Sequence, residues 1–273
     1  MSGILYVTGT PIGNLSDLSP RAAQTLSAVD FIAAEDTRVT LKLLNHLGIK
    51  KPMVSYYEHN KRERGEMICA RIEQGENCAI VTDAGMPCIS DPGEDLIKLC
   101  GERGIQTVVI PGPSAVISAL AISGLETGRF TFEGFLSVNK KSRGEHLQSL
   151  LGEKRTMIFY EAPHKLPATL RDLYAAFGNR RLSIVRELTK IHEEVIRTTT
   201  EYAAEHFADG SVKGEIVLVL EGKKQEERAE YTLESAVALA KKLMENGEKA
   251  TAAAKEAAAA TGFKKNEIYR ELL

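Results

Sequence analysis

The 273 residues include no tryptophan and only 6% aromatic side chains, and no window reaches 18 consecutive apolar residues. The last absence removes a membrane-spanning helix from consideration. The four cysteines, Cys69, Cys78, Cys88 and Cys100, are spaced by nine, ten and twelve, so no Cys-x-x-Cys pair exists for zinc or dithiol chemistry. Each reads as a small buried hydrophobe. The N-terminal stretch has no basic segment and its apolar run breaks at Thr8-Gly9-Thr10-Pro11, so we expect a cytoplasmic protein with reduced thiols. An excess of one charge is lacking too: 35 Lys and Arg against 37 Asp and Glu leave a formal net charge of −2. That balance excludes a globally basic nucleic-acid coat protein, and phosphate contact would need a local cluster. Collagen-like and long disordered chains are excluded by the same ordinary composition.

Short β-branched runs alternate with segments of helical period. The expected strands are residues 4–8, 31–34, 53–56, 78–82 and 107–110, and the intervening helices carry readable signals. Ser19-Pro20 is an N-cap followed by proline at the first helical position, and Gly48 ends a helix over residues 40–47. Nearly continuous apolar strands joined by crossover helices predict a mostly parallel sheet covered on both faces. This is a first α/β domain, residues 1–122. A second series of runs, 130–136, 156–160, 182–186, 194–198 and 215–220, includes two with no room for a helix between them. They predict a strand pair with a turn, hence a second α/β domain over 123–225 with a mixed sheet. Charged, linker-like residues 221–230 lead to three helical segments, 233–246, 248–261 and 264–272, which form a small appendix over 226–273.

Glycine and proline gather where the strands of the first domain end. The first strand runs into Thr10-Pro11-Ile12-Gly13, the fourth into Thr82-Asp83-Ala84-Gly85-Met86-Pro87, and the fifth into Pro111-Gly112-Pro113-Ser114-Ala115. Carboxyl ends of parallel strands are where open α/β sheets bind ligands, because helix N-termini and free N–H groups converge there. Gly9-x-x-x-Gly13 is neither the dinucleotide fingerprint nor a P-loop, which weakens NAD and ATP. Gly112-Pro113-Ser114-Ala115-Val116 lacks the closing glycine of a nucleophile elbow. Ser114 stands at a helix N-terminus, as an N-cap, a ligand contact or both. Glu35-Asp36-Thr37-Arg38 follows the second strand, where the acids and Arg38 form either a surface ion pair or substrate-handling groups. His192-Glu193-Glu194 is not His-Glu-x-x-His, and we expect no metal.

Seven blocks in order, YVTGTPIGNL, AAEDTR, VTDAGMPCISDPG, PGPSAVISAL, FYEAPHKL, RELTKIHEE and KGEIVLVLEG, span residues 4–220. Together they resemble the tetrapyrrole methylase superfamily, the class III S-adenosylmethionine methyltransferases. More narrowly they resemble its branch that methylates a cytidine ribose 2′-oxygen in the decoding region of small-subunit (16S) ribosomal RNA. The resemblance implies two α/β domains clasping S-adenosyl-L-methionine in a cleft, and a homodimer. It puts Pro11, Asp83, Ala84, Gly85, Ser114, Ala115, Tyr160, Leu188 and Gly214 at the cofactor. Thr82-Asp83-Ala84-Gly85 departs from the superfamily's Gly-Asp-Pro loop, which leaves the local backbone open. AEDTR points this chain to RNA.

Residues 139–190 carry eleven Lys and Arg against five acids, a balance of +6, and the remainder stands at −8. Lys140, Lys141, Arg143, Arg180 and Arg181 are the candidate phosphate contacts, with solvated helix faces as the alternative. Lys61-Arg62-Glu63-Arg64 is a further, more ambiguous basic group. Methyl transfer to an alcohol needs near-attack positioning and a route for one proton. Glu35, Asp36, Arg38 and Lys190 are the candidates, with base and clamp not separated. The expected partner is small-subunit rRNA or the assembled subunit. The other readings are a tetrapyrrole or protein side chain as substrate, and a non-enzymatic ribosome-assembly factor. In the appendix, Ala258, Gly262 and Ile268 have helix-turn-helix spacing, which a plain helical cap satisfies equally.

Overall fold

The computed structural model describes residues 2–208, 210, 212–224 and 231–272. It has two compact units, Met1–Lys223 and Lys224–Leu273. The first contains two five-stranded sheets.

The first sheet is built from β1 (Ile4–Thr8), β2 (Phe31–Ala34), β3 (Met53–Ser55), β4 (Cys78–Val81) and β5 (Gln106–Ile110), in the order β3-β2-β4-β1-β5. Every pairing is parallel. Helices α1 (Pro20–Ala28), α2 (Thr37–His46), α3 (Lys61–Glu73), α4 (Gly93–Glu102) and α5 (Ala115–Ser123) make or follow the crossovers. All residues of β2 and β4 are buried, as a sheet covered on both faces requires. Leu5, Phe31, Ile68, Ile72 and Leu96 pack one face, and Leu26, Ile32, Leu44 and Ala79 the other. Cys69, Cys78 and Cys100 are buried and Cys88 half-buried, all as free thiols. Ser19 accepts the Ala22 N–H and starts α1, as its sequence predicts. Helix α2 starts at Thr37, three residues before its expected beginning, because the Asp36 carboxylate caps it.

The second sheet has the order β6-β7-β10-β8-β9, from β6 (Phe130–Phe135), β7 (Thr156–Glu161), β8 (Arg181–Arg186), β9 (Glu194–Thr199) and β10 (Ile216–Leu220). β6 and β7 are parallel and the other pairs antiparallel, so the sheet is mixed. β8 and β9 form the expected strand pair, from Arg181 opposite Thr199 to Arg186 opposite Glu194. Central β10 is buried at all five positions. Helices α6 (Lys140–Ser149), α7 (Leu166–Phe177) and α8 (Thr200–His206) lie in this half, and Met157, Phe159, Leu170 and Leu218 belong to its main core. Helix α5 packs on the opposite face, through Val116, Ala119 and Leu120 against Val185 and Val219.

The second unit is α9 (Leu233–Glu245), α10 (Ala250–Thr261) and α11 (Lys265–Leu272) around Ala236, Ala240, Ala254, Ala257 and Ile268. Gly262 ends α10 at φ +80°. Part of the expected linker, residues 225–230, lies outside the described residues. Among the described residues no helix is long and apolar enough to cross a membrane.

Candidate active site

Because β1, β2, β4 and β5 are parallel, the loops after them emerge at one sheet edge. Two of these loops are zipped together: Thr10 donates its N–H to Gly85 O at 2.9 Å and accepts the Gly85 N–H at 3.2 Å. Thr10 Oγ1 also donates to Thr82 O at 3.2 Å. A third loop lies against them so closely that a Cβ on Gly9 would stand 2.7 Å from the Gly112 Cα. Gly9 and Gly112 are therefore demanded by backbone contact between the loops that follow β1 and β5, where no side chain fits.

The facing wall comes from the second sheet. Glu187 adopts φ +52° and Thr189 φ +66°, flanking Leu188 in the turn between β8 and β9. Glu187 Oε1 accepts from Lys190 Nζ at 2.9 Å and from the Glu215 N–H at 3.0 Å, and Glu215 Oε2 lies 3.2 Å from the same ammonium. Burial works against the charge on Lys190, but these two carboxylates outweigh it and hold its pKa above the ordinary value. A Cβ on Gly13 would stand 2.6 Å from Lys190 Cγ, so the first loop touches this turn.

Between the walls is a cavity of about 440 Å³, within the usual size range of small-molecule sites. Ile12, Val116, Val185, Leu188 and Val217 supply an apolar inner surface, all buried. The four charged residues among its described lining are all acids: Glu35, Asp91, Glu161 and Glu215. Glu35 accepts from Thr82 Oγ1 at 2.6 Å. Asp91 accepts the Gly93 N–H at 2.7 Å, and burial, with Glu35 adding to it, pushes its carboxyl up. Glu161 accepts the Ala162 N–H at 2.8 Å and the Thr169 hydroxyl. Such a cavity repels phosphates and favours a cation.

Of the expected cofactor residues, Ala84, Gly85, Ser114, Ala115, Tyr160, Leu188 and Gly214 line this cavity. Pro11 and Asp83 do not, although their neighbours Ile12 and Thr82 do. Asp83 accepts the Asp36 N–H at 3.2 Å, and burial, followed by the charge of Glu35, raises its pKa. Ser114 makes no capping hydrogen bond, which leaves its hydroxyl free in the cavity. Of the transfer candidates only Glu35 reaches the lining. Asp36 is turned to Arg38, whose side chain holds its carboxyl at about 2. Asp91, Glu161, Glu215, Ile89 and Phe135 also line the cavity, and none of them stands out in the sequence as a site residue. Asp91 stood in a loop already marked by its glycine and proline content; nothing in the sequence signals the burial of Glu161.

The basic set divides. Lys140 and Lys141 are exposed at the start of α6. Arg143 is not the free surface cation that its sequence suggests: it is buried, its Nη2 donates to Thr169 Oγ1 at 2.9 Å and its Nε meets Asp172. Arg180 is half-buried, donates to Phe177 O and Glu221 O, and burial lowers its pKa. Arg181 donates to Gly124 O at 2.8 Å, tying β8 to the end of α5. Arg180 thus serves the packing of the second half, whereas Arg181 is exposed on β8 despite that bond. Among the described residues no cluster of His, Cys, Asp and Glu could hold a metal ion.

A family profile for tetrapyrrole (corrin/porphyrin) methylases matches residues 4–204, most of the chain. The chain belongs to the tetrapyrrole methylase family. Within curated proteins it is 46% identical to ribosomal RNA small subunit methyltransferase I of Synechocystis sp., over 98% of this chain and 96% of that protein. The protein of the same name from Haemophilus influenzae is 41% identical, over 99% and 96%. Solved tetrapyrrole methylase folds match at lower identity. Uroporphyrin-III C-methyltransferase from Thermus thermophilus complexed with S-adenosyl homocysteine superposes with TM-score 0.57 at 16% identity, over 80% of this chain and 97% of that one. Diphthine synthase gives TM-score 0.59 at 13%, over 81% and 90%.

Proposed function

We propose that this chain is an S-adenosylmethionine-dependent methyltransferase that acts in the cytoplasm, as a homodimer, on the 2′-hydroxyl of a cytidine ribose in the decoding region of small-subunit rRNA. The observation that carries the reading is the cavity whose charged lining is wholly acidic. The cofactor is a cationic sulfonium with no phosphate, and its chemistry fits that lining where NAD or ATP does not. Relatives above 40% identity that bear the rRNA methyltransferase name support the substrate.

When bound, S-adenosylmethionine supplies an electrophilic methyl group. Ile12, Val116, Val185, Leu188 and Val217 would hold its adenosine by apolar contact, and the backbone of Ala84 and Gly85 would let it approach closely. Ser114 offers a free hydroxyl, and Asp91 and Glu161 would hold the cationic part. Glu35 is assigned to receive the ribose proton, because it is the transfer candidate inside the cavity. Asp36, held ionised by Arg38, is a poor proton acceptor, and the pair instead positions the nucleotide, with Arg38 offered to a phosphate. Lys190 braces Glu215 and Glu187. Outside the acid-lined cavity, Lys140 and Lys141 receive the flanking phosphates.

Mapping ribose methylation on small-subunit rRNA from cells with and without this protein tests the proposal. One cytidine 2′-O-methyl group should vanish with the protein. Methyl groups that enter a tetrapyrrole or protein fraction instead, or no binding of S-adenosylmethionine in calorimetry, would defeat it.

A further inference from the structure

Strand β6 does not alternate evenly. Its register against β7 shifts so that Phe132 faces Ile158, Gly134 faces Phe159 and Phe135 faces Tyr160. Gly134 sits at φ +63°, a conformation that lets a strand absorb an additional residue as a bulge. In an unbroken strand, residues three apart point to opposite faces. Here the bulge turns Phe132 and Phe135 onto one ring, that of Tyr160, with centroids 4.9 and 5.4 Å away. Three rings thus run from the packed interior, where Phe132 and Tyr160 lie against the Val185 and Val217 cluster, out to the rim of the cavity. At the rim Phe135 lines the cavity with 58% of its surface in water.

An aromatic ring re-aimed by a bulge, backed by a second ring and left more than half exposed has a surface free to stack. The apolar residues suited to adenosine lie deeper and are buried, so the cofactor reading does not use it. Chain direction leads from Phe135 through Leu136–Asn139 to exposed Lys140 and Lys141. A stacking ring followed along the chain by exposed cations suits the way proteins grip an unpaired nucleotide, with the base on an aromatic ring and the phosphates on ammonium groups. The acid-lined cavity adds direction, since it repels phosphate and admits only the sugar and base side.

We propose that Phe135 is the stacking platform for the base of the target nucleotide, which leaves its neighbours in the folded rRNA so that its ribose reaches the cavity. The inference rests on the RNA reading above. Because Phe135 is exposed, its substitution does not threaten folding, which a thermal melt verifies. On small subunits from cells lacking this activity, Phe135→Ala and Phe135→Leu should raise KM for the subunit or lower kcat/KM about ten- to a hundredfold. Phe135→Tyr should restore most of it. Calorimetric affinity for S-adenosylmethionine should stay within twofold of the wild type. Wild-type kinetics in Phe135→Ala, equal performance of Leu and Phe, or a lost cofactor affinity with KM unmoved would each overturn the platform alone. A wild-type protein that places no methyl group in the RNA overturns the RNA reading, and the platform with it.

Discussion

Asp36 grips Arg38 at both ends: its carboxylate accepts from the guanidinium, with Oδ2 2.6 Å from Nη2, and Oδ1 accepts the Arg38 backbone N–H at 2.8 Å. The same carboxylate therefore caps α2 and fixes a cation whose side chain is 88% exposed. With its carboxyl held at about 2 by the Arg38 side chain, Asp36 stays ionised around neutral pH. Its neighbour Glu35 instead lines the cavity and accepts from Thr82 Oγ1.

The two acids should thus fail differently. Glu35→Gln removes the assigned proton acceptor, and single-turnover methylation should fall about 10²- to 10⁴-fold. Asp36→Asn keeps a capping oxygen but frees Arg38, so transfer should be lost while S-adenosylmethionine still binds normally. Near wild-type turnover by Glu35→Gln sinks the assignment of the base, and full turnover by Asp36→Asn removes Asp36 from the reaction.

The contact between Gly9 and Gly112 leaves no room for a Cβ on either residue. Gly9→Ala should cost about 1 to 3 kcal/mol in urea unfolding, as overpacking does, and weaken cofactor binding by displacing the loops. Gly128→Ala is the control, since nothing lies within 4 Å of its added Cβ. Its stability should change by less than about 0.5 kcal/mol. Equal effects at the two glycines would contradict the close-approach account.

Arg143 and Lys140 sit three residues apart on α6 and should separate stability from RNA binding. Arg143→Met strands the Thr169 and Asp172 contacts and should lower stability by about 1 to 3 kcal/mol. Lys140→Ala should leave the melt unchanged and reduce both RNA affinity and its salt dependence, the signature of one phosphate contact fewer. Affinity measured at two salt concentrations checks this; an unaltered salt slope excludes Lys140 from the interface.

Burial raises the Asp91 pKa, with Glu35 contributing, so this carboxyl completes its ionisation above the ordinary aspartate range. A folded-state pKa above the unfolded value gives stability that is full below the unfolded pKa and is lost as pH rises through the folded one. Ligand binding has the opposite sign: a sulfonium favours the ionised carboxylate, so its affinity should climb with pH through that window. S-adenosylhomocysteine, which lacks the sulfonium charge, should show a flatter profile in the same calorimetric titrations. Parallel profiles for the two ligands would rule out charge pairing in the cavity.

Much of this fold is legible in the sequence. The buried strands β2 and β4 are runs of apolar residues bounded by turn signals, and Ser19-Pro20 announces α1 through local chemistry alone. The glycine-rich loops at Gly85 and Gly112 are visible because close backbone approach demands glycine. Arg143 is not legible, since Lys140-Lys141-Ser142-Arg143 reads as one solvated run. Its burial follows from helical phase, four residues before buried Leu147, and from a partner in α7 that is distant in sequence. Ser114 reads as a cap from its place at the head of α5, yet its side chain makes no capping bond. Phe135 eluded the pattern for a different reason: one additional residue at a bulge reverses the alternation from which strand faces are read.

The bonds between Thr10 and Gly85 join positions 75 residues apart, and Gly9 meets Gly112 across a still longer interval. Contacts of such range form only when β4 and β5 have docked on either side of β1. A growing or partly unfolded chain has helices and local strands long before it has this seam. Ligand capture thus needs this seam as well as the second sheet's facing wall, and a bound ligand draws the folding equilibrium toward molecules that have both.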